Sequence, residues 1–181
     1  ADCAKIIMSI SPHEQEEFEK IIQSEKIVYV PGGATRQESG YLGLQEVDTE
    51  FVMIHDGVRP FLTTKHLEAL KAALKTEDAA LLMVPLIDTI KEVKGGYVVH
   101  TPERSNYMSA QTPQAFRTEL IKKCHEEAKK HPEIVASDDA MLAELFSDTK
   151  IKVVEGSYDN IKVTTQRDLK QIHLLHEEQN T

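Results

Sequence analysis

His55-Asp56-Gly57-Val58-Arg59-Pro60 is the segment whose residue types and spacing first admit chemistry. An aspartate can hold a divalent ion, a glycine beside it lets a substrate approach the backbone, and an arginine on the following turn offers a planar fork of donors for phosphate. The same hexapeptide also reads as a strand-end turn closed by an Asp–Arg ion pair, and local chemistry leaves both readings open. A second segment, Pro31-Gly32-Gly33-Ala34-Thr35-Arg36-Gln37-Glu38-Ser39, follows one apolar run and precedes a helical pattern. A glycine pair there exposes backbone N–H groups and leaves room for a planar base, and a helix N-terminus favours an anion. A plain turn explains the glycines equally well. It is not a P-loop, because no Gly-Lys-Ser/Thr follows.

Arg104, Thr112, Asp138, Asp139 and Lys162 complete the polar candidates at element ends. Lys162 lies in Asn160-Ile161-Lys162-Val163-Thr164-Thr165, which reads as a strand running into a helix cap. An ammonium in such a strand either needs a buried partner or blunts an exposed edge. The histidines form no His-x-x-x-His or His-Glu-x-x-His pair, so transition-metal chemistry is not indicated. His55 points away from Asp56 if its strand extends that far, and reads as a packing residue. No Gly-x-Ser-x-Gly elbow supports a serine nucleophile.

These residues need a scaffold, and apolar runs alternating with helical patterns predict an α/β fold. Strands are expected at Lys5–Ile10, Ile27–Val30, Phe51–Ile54, Ala80–Pro85 and Ile151–Val154, with helices near 64–75, 118–130, 137–146 and 165–176. Ser11-Pro12-His13-Glu14 reads as a capping box opening a helix whose apolar face is Phe18, Ile21 and Ile22. Ser137 and Thr165 are expected N-caps. The economical assembly is a Rossmann-like, mostly parallel sheet with helices on both faces. Residues 88–110 break the alternation: Lys94-Gly95-Gly96 lies between the β-rich runs Thr89–Val93 and Tyr97–His100, which predicts a protruding β-hairpin arm.

The 181 residues suffice for one domain with a hydrophobic core. A net charge of −9, with bases interspersed among acids, excludes the basic stripe of a nucleic-acid binder. No apolar run reaches the length of a membrane span, and the two distant cysteines point to a reducing cytoplasm.

Taken in order along the chain, several segments resemble 2-C-methyl-D-erythritol 4-phosphate cytidylyltransferases. They are Gly32-Gly33 with Arg36 and Ser39, the run from His55 to Phe61, Asp88-Thr89-Ile90-Lys91, and Glu103-Arg104. The run from Ala110 to Phe116, Ser137-Asp138-Asp139-Ala140, Glu155-Gly156-Ser157-Tyr158 and the run from Asn160 to Thr165 complete the set. The resemblance implies an enzyme that joins CTP to a small polyol phosphate with Mg2+. It implies that the Gly33 loop, Arg36 and Ser39 serve the nucleotide, with Gly33 and Ser39 at the cytosine and Gly57 at the ribose. Asp56 and Arg59 would engage the sugar phosphate near the metal, with Asp56 its ligand. Thr89, Arg104, Thr112, Ser137 and Lys162 would hold the acceptor, Arg104 and Lys162 gripping its phosphate. The arm at 88–110 would cross a twofold axis, making a homodimer in which Thr89 and Arg104 complete the neighbouring subunit's site.

Ala34, Gly57-Val58, Met108 and Ser137 depart from the family's usual residues, and Ser137 keeps the hydroxyl of the usual threonine. Ribitol 5-phosphate is therefore an alternative acceptor. The family pattern also opens with a strand and a Gly-rich triphosphate loop that these residues do not contain. The chain is accordingly expected to be N-terminally incomplete, with an inactive dimeric fragment as the further alternative.

Overall fold

Ile6–Ile10 and Ile27–Pro31 are short runs of β-branched and apolar residues, and they pair as parallel strands β1 and β2 with Ile6 opposite Ile27. This is seen in a computed structural model that describes residues 3–169 and Ile172. The crossover helix α1 (Gln15–Ile21) starts later than expected. Its N-cap is Glu14 without a side-chain bond, and Ser11 contributes only its carbonyl, which accepts from the Glu14 N–H at 2.9 Å. The expected capping box and apolar face are both absent: α1 buries no residue, and Ile21 is 71% exposed. After β2, Thr35 caps α2 (Arg36–Gln45), its hydroxyl oxygen accepting from the Glu38 N–H at 3.1 Å.

A four-stranded sheet forms the larger layer, in the order β3 (Phe51–Ile54), β7 (Met108–Arg117), β4 (Ala79–Pro85), β8 (Ile151–Glu155). Here β4 and β8 are parallel, while β7 runs antiparallel to both β3 and β4. The carboxyl ends of β3, β4 and β8 therefore share one edge with the amino end of β7. Alternation of strand and helix patterns predicts the α/β class and the mostly parallel direction but not this reversed central strand. A cis peptide joins Thr112 to Pro113 within β7.

Helices cover both faces. Helix α3 (Thr64–Ala73) sets Leu70 and Leu74 against Ala80, Leu82, Ala115 and Val154. On the opposite face, α4 (Thr118–Ala128) and α5 (Asp139–Phe146) set Ile121, Cys124 and Leu142 against Ala79 and Phe116. Adjacent residues such as Ala79 and Ala80 thus serve opposite cores, as the two-residue period of a strand requires. The N-cap of α5 is Asp138, whose Oδ1 accepts from the Met141 N–H at 2.9 Å, so the expected cap Ser137 lies one residue outside the helix. Thr165 does cap a final helical turn, its Oγ1 accepting from the Asp168 N–H at 3.3 Å; of the rest of the helix expected to His176 only Ile172 is among the described residues, and it is helical.

The arm is a hairpin of β5 (Glu92–Lys94) and β6 (Tyr97–His100). Its turn has φ of +57° at Gly95 and +84° at Gly96, a conformation that glycine adopts without steric cost. The first strand begins at Glu92, so Thr89 lies ahead of the ladder rather than in it. Both ends of the arm return to one point, because Pro85 of β4 pairs with Met108 of β7. Among the described residues no helix is long and apolar enough to cross a membrane.

Phe116 is fully buried at the centre of the sheet. Phe116→Ala is expected to cost ~3–5 kcal/mol of stability, read from urea unfolding midpoints. A loss below ~1 kcal/mol would mean that Phe116 is not a core anchor.

Candidate active site

The loop after β3 is held by one threonine. Arg59 O can only accept, so the ring nitrogen 3.1 Å from it, Nε2 of His55, carries the proton. In a neutral ring Nδ1 is then an acceptor, and the Thr112 hydroxyl, 3.0 Å away, donates to it. That leaves a lone pair on Thr112 Oγ1 for the Asp56 N–H, which donates at 2.9 Å. Burial pushes the pKa of His55 below its ordinary value, against smaller opposing effects of the Arg59 carbonyl and Asp56. The ring is thus a structural acceptor and donor, in keeping with the packing role read from its strand position.

This frame presents Asp56. Its Oδ2 lies 3.3 Å from Arg59 Nε and 3.1 Å from Lys162 Nζ. The two cations are not equivalent. Arg59 is 12% exposed and also donates from Nη1 to Asn160 O at 2.7 Å, whereas the Lys162 side chain is 45% exposed. Lys162 lies outside any strand, contrary to expectation. Its segment joins the loop through one backbone bond, Val163 N–H to Val58 O at 2.8 Å, so no ladder forms. Asn160, fully buried, fixes the segment from below by donating from Nδ2 to Thr112 O at 2.9 Å.

Arg59 and Lys162 border a groove of about 460 Å³ whose walls include Pro85, Asp88, Gln111 and Tyr158. This is the carboxyl edge of the sheet, where open α/β folds bind ligands. A wider depression of about 590 Å³ near Lys122 and Glu126 touches none of the expected site residues. Gly57 adjoins the cluster with open space where a side chain would stand.

The structure brings together Asp56, Arg59, Thr112 and Lys162, with Gly57 beside them. The nucleotide candidates form a separate group at the end of β2. The Gly33 N–H donates to Ser39 Oγ at 3.0 Å, and the Ser39 hydroxyl donates to Thr35 O at 3.0 Å. A side chain at Gly33 would overlap Glu38, whose Oε2 accepts from the Ala34 N–H at 2.7 Å. Arg36 pairs with Asp139 on α5, and the exposed Ser137 precedes that helix. Thr89 and Arg104 lie exposed at the root of the arm, where Arg104 Nη1 donates to Ile87 O.

The supports beneath the site are residues that sequence reasoning does not single out. Gln114 is 1% exposed; it donates to Asp138 Oδ2 at 2.7 Å and accepts from the Ala140 N–H at 2.8 Å. Gln111 donates to Ser157 O at 2.8 Å. Their signal is the crowding of polar residues into a run that the packing buries on both faces.

The lowered pKa of His55 fixes a sign. Between its folded value and the ordinary ~6.5, the unfolded chain binds more protons, so this contribution to stability is present above ~6.5 and lost as pH falls through the folded value. Urea stability is expected to decline with acidification below pH ~6.5, and less steeply in His55→Gln. His66, also lowered by burial and by Lys65, leaves a residual slope in that variant. Equal slopes in the two proteins would contradict the assignment.

The model of the family described as IspD, 2-C-methyl-D-erythritol 4-phosphate cytidylyltransferase, matches residues 1–177. A protein of that name from Bacillus velezensis is 45% identical over 175 residues, covering 93% of this chain and 75% of its own. One from Bacillus cytotoxicus is 43% identical over 172 residues, covering 92% of this chain and 75% of its own. Among solved structures, the 4-diphosphocytidyl-2C-methyl-D-erythritol synthase of Anaerococcus prevotii superposes with a TM-score of 0.90 at 35% identity, covering 96% of this chain and 82% of its own. The cytidylyltransferase of Thermus thermophilus does so with a TM-score of 0.84 at 28% identity, covering 97% and 84%. With a family match spanning almost the whole sequence and the same fold in solved relatives, this chain belongs to the 2-C-methyl-D-erythritol 4-phosphate cytidylyltransferase family.

Proposed function

We propose that the protein transfers the cytidylyl group of CTP to 2-C-methyl-D-erythritol 4-phosphate, giving 4-diphosphocytidyl-2-C-methyl-D-erythritol and pyrophosphate on the non-mevalonate route to isoprenoids. The observation that carries this reading is the cluster of Asp56, Arg59, Thr112 and Lys162 at the carboxyl edge of the sheet, in a chain of this family.

In the reaction an oxygen of the acceptor phosphate attacks the α-phosphorus of CTP, and the bond to pyrophosphate breaks as the new P–O bond forms. The attacking oxygen is already ionised, so no general base is needed. The site agrees with that requirement, because both ring nitrogens of His55 are engaged in holding the loop. What the reaction does need is neutralisation of converging anions. Lys162, half exposed and paired among the described residues only with Asp56, is a cation able to turn toward a phosphate. Arg59 is committed to Asp56 and Asn160 O and acts mainly by holding the loop and the Lys162 segment in register. Ser137 presents an exposed hydroxyl to the acceptor phosphate, while Thr112 works by orienting Asp56. Gly33 and Ser39 shape the base pocket, and Gly57 lets the ribose approach the backbone.

Magnesium fits the donor set. Both ion pairs of Asp56 fall on Oδ2, which leaves Oδ1 for a further partner. No group of three or more His, Cys, Asp or Glu that could hold a metal occurs among the described residues. A single carboxylate is nonetheless the usual protein share of a Mg2+ site completed by substrate phosphates and water. Asp56 would hold the ion, which supplies charge stabilisation on the departing pyrophosphate.

The arm supports a homodimer. Tyr97 is 78%, Val98 62% and Val93 57% exposed on a hairpin whose two strands are exposed at every residue. Apolar exposure on both faces of one hairpin marks an interaction surface. A second copy would cover it and receive Thr89 and Arg104 at its site. Free cysteines at positions 3 and 124 agree with a cytoplasmic protein.

Pyrophosphate release by the full-length protein is expected with CTP, Mg2+ and methylerythritol phosphate, and not with ribitol 5-phosphate. The reverse preference would keep the fold and mechanism but overturn the acceptor. Lys162→Ala and Arg104→Ala are each expected to lower turnover ~10²–10³-fold without unfolding the protein. Val98→Asp is expected to shift the sedimenting species from dimer to monomer, and an unchanged dimer would place the interface elsewhere.

A further inference from the structure

Asp139 is a carboxylate with 1% side-chain exposure, a placement that is costly unless its charge is answered on both oxygens. Both are answered. Arg36 Nη2 donates to Oδ2 at 2.7 Å, and His125 Nε2 lies 2.9 Å from Oδ1. Burial alone would raise the carboxyl; His125 and Arg36 together outweigh it and hold it below the usual carboxylate range. Gly40 of α2 lies directly over the pair, where a Cβ would meet His125 Cε1 at 3.4 Å, an ordinary van der Waals contact.

The elements joined in this way matter more than the ion pair alone. Arg36 is the first residue of α2, directly after the loop that carries Gly33. Asp139 is the first residue of α5, directly after Ser137 and the cap Asp138. A second tie runs in parallel, the Ala136 N–H donating to Gln37 Oε1 at 3.3 Å. The heads of α2 and α5 are therefore fastened to each other by two consecutive residues of one helix. The Arg36 guanidinium is directed to this task.

We propose that Arg36 is a positioning residue for the acceptor: by fixing Asp139 and the head of α5 it sets where Ser137 stands, so a residue of the nucleotide loop governs acceptor binding. This rests on the proposed function, in which Ser137 meets the acceptor phosphate. An arginine serving as a nucleotide ligand would act on CTP instead, and one serving only the core would act on stability.

The test is bisubstrate initial-rate kinetics on the full-length protein, with CTP and methylerythritol phosphate varied in turn. Arg36→Ala is expected to raise the KM for the acceptor about tenfold or more while the KM for CTP changes less than about threefold. Asp139→Asn should reproduce that pattern, and the double variant should be no worse than the more severe single one, because both break the same contact. Arg36→Lys, which keeps the charge and shortens the reach, should recover part of the acceptor affinity and covers the case in which the alanine variant fails to fold. A rise confined to the KM for CTP overturns the proposal in favour of a nucleotide ligand. Unchanged KM values with a lowered melting temperature overturn it in favour of packing. Wild-type protein that releases no pyrophosphate with these two substrates would instead overturn the functional reading on which the proposal rests.

Discussion

A strand buried on both faces cannot send a polar side chain to water, so each one it carries must find a protein partner or cost the chain stability. β7 carries three such residues through the middle of the sheet: Gln111, Thr112 and Gln114. The partners they find lie in the segments after β3 and β8 and at the head of α5. Thr112 takes the Asp56 loop, Gln111 takes Ser157, and Gln114 takes the head of α5. The central strand is therefore both the middle of the hydrophobic core and the common mooring of the site. Its reversed direction brings its amino-terminal half to the edge where its neighbours end.

Charge is distributed over this frame by how firmly each group is held. The chain is acidic overall, at −9, yet its site must receive several phosphates. Long-range attraction is not available for that purpose, so neutralisation has to be local. Arg59 and Arg36 are tied down by carboxylates, Arg59 at the wall of the groove and Arg36 at the head of α2, while Lys162 and Arg104 keep exposed side chains at the mouth and at the root of the arm. Guanidinium groups suit the first task because their rigid fork satisfies two partners at once, as Arg59 does with Asp56 and Asn160. An ammonium on a flexible stem suits the second.

Much of this frame is legible in the order of residues alone. The strand at Phe51–Ile54 and the hairpin turn at Gly95-Gly96 follow from local pattern. Lys162 stands out because an ammonium in an apolar run needs a partner, and Asp56 is that partner although the strand around it does not form. Contact between distant segments leaves no such local mark. Nothing local to Arg36 shows that its guanidinium meets Asp139, far along the chain. His125 gives no local sign that its ring lies on a buried carboxylate. The cap of α5 falls on Asp138 rather than Ser137 because both are good caps and only the backbone angles choose between them.

The pairing of Pro85 with Met108 closes the arm at its root. Strands β4 and β7 are thus two sides of one long ribbon, and the arm is an elaboration of the bend that joins them. Nothing in the register of the sheet depends on how far that bend extends. The tip of the arm can lengthen, shorten or change its apolar surface over evolutionary time without disturbing the register of the core strands, whereas its root, which carries Thr89 and Arg104, stays tied to the sheet.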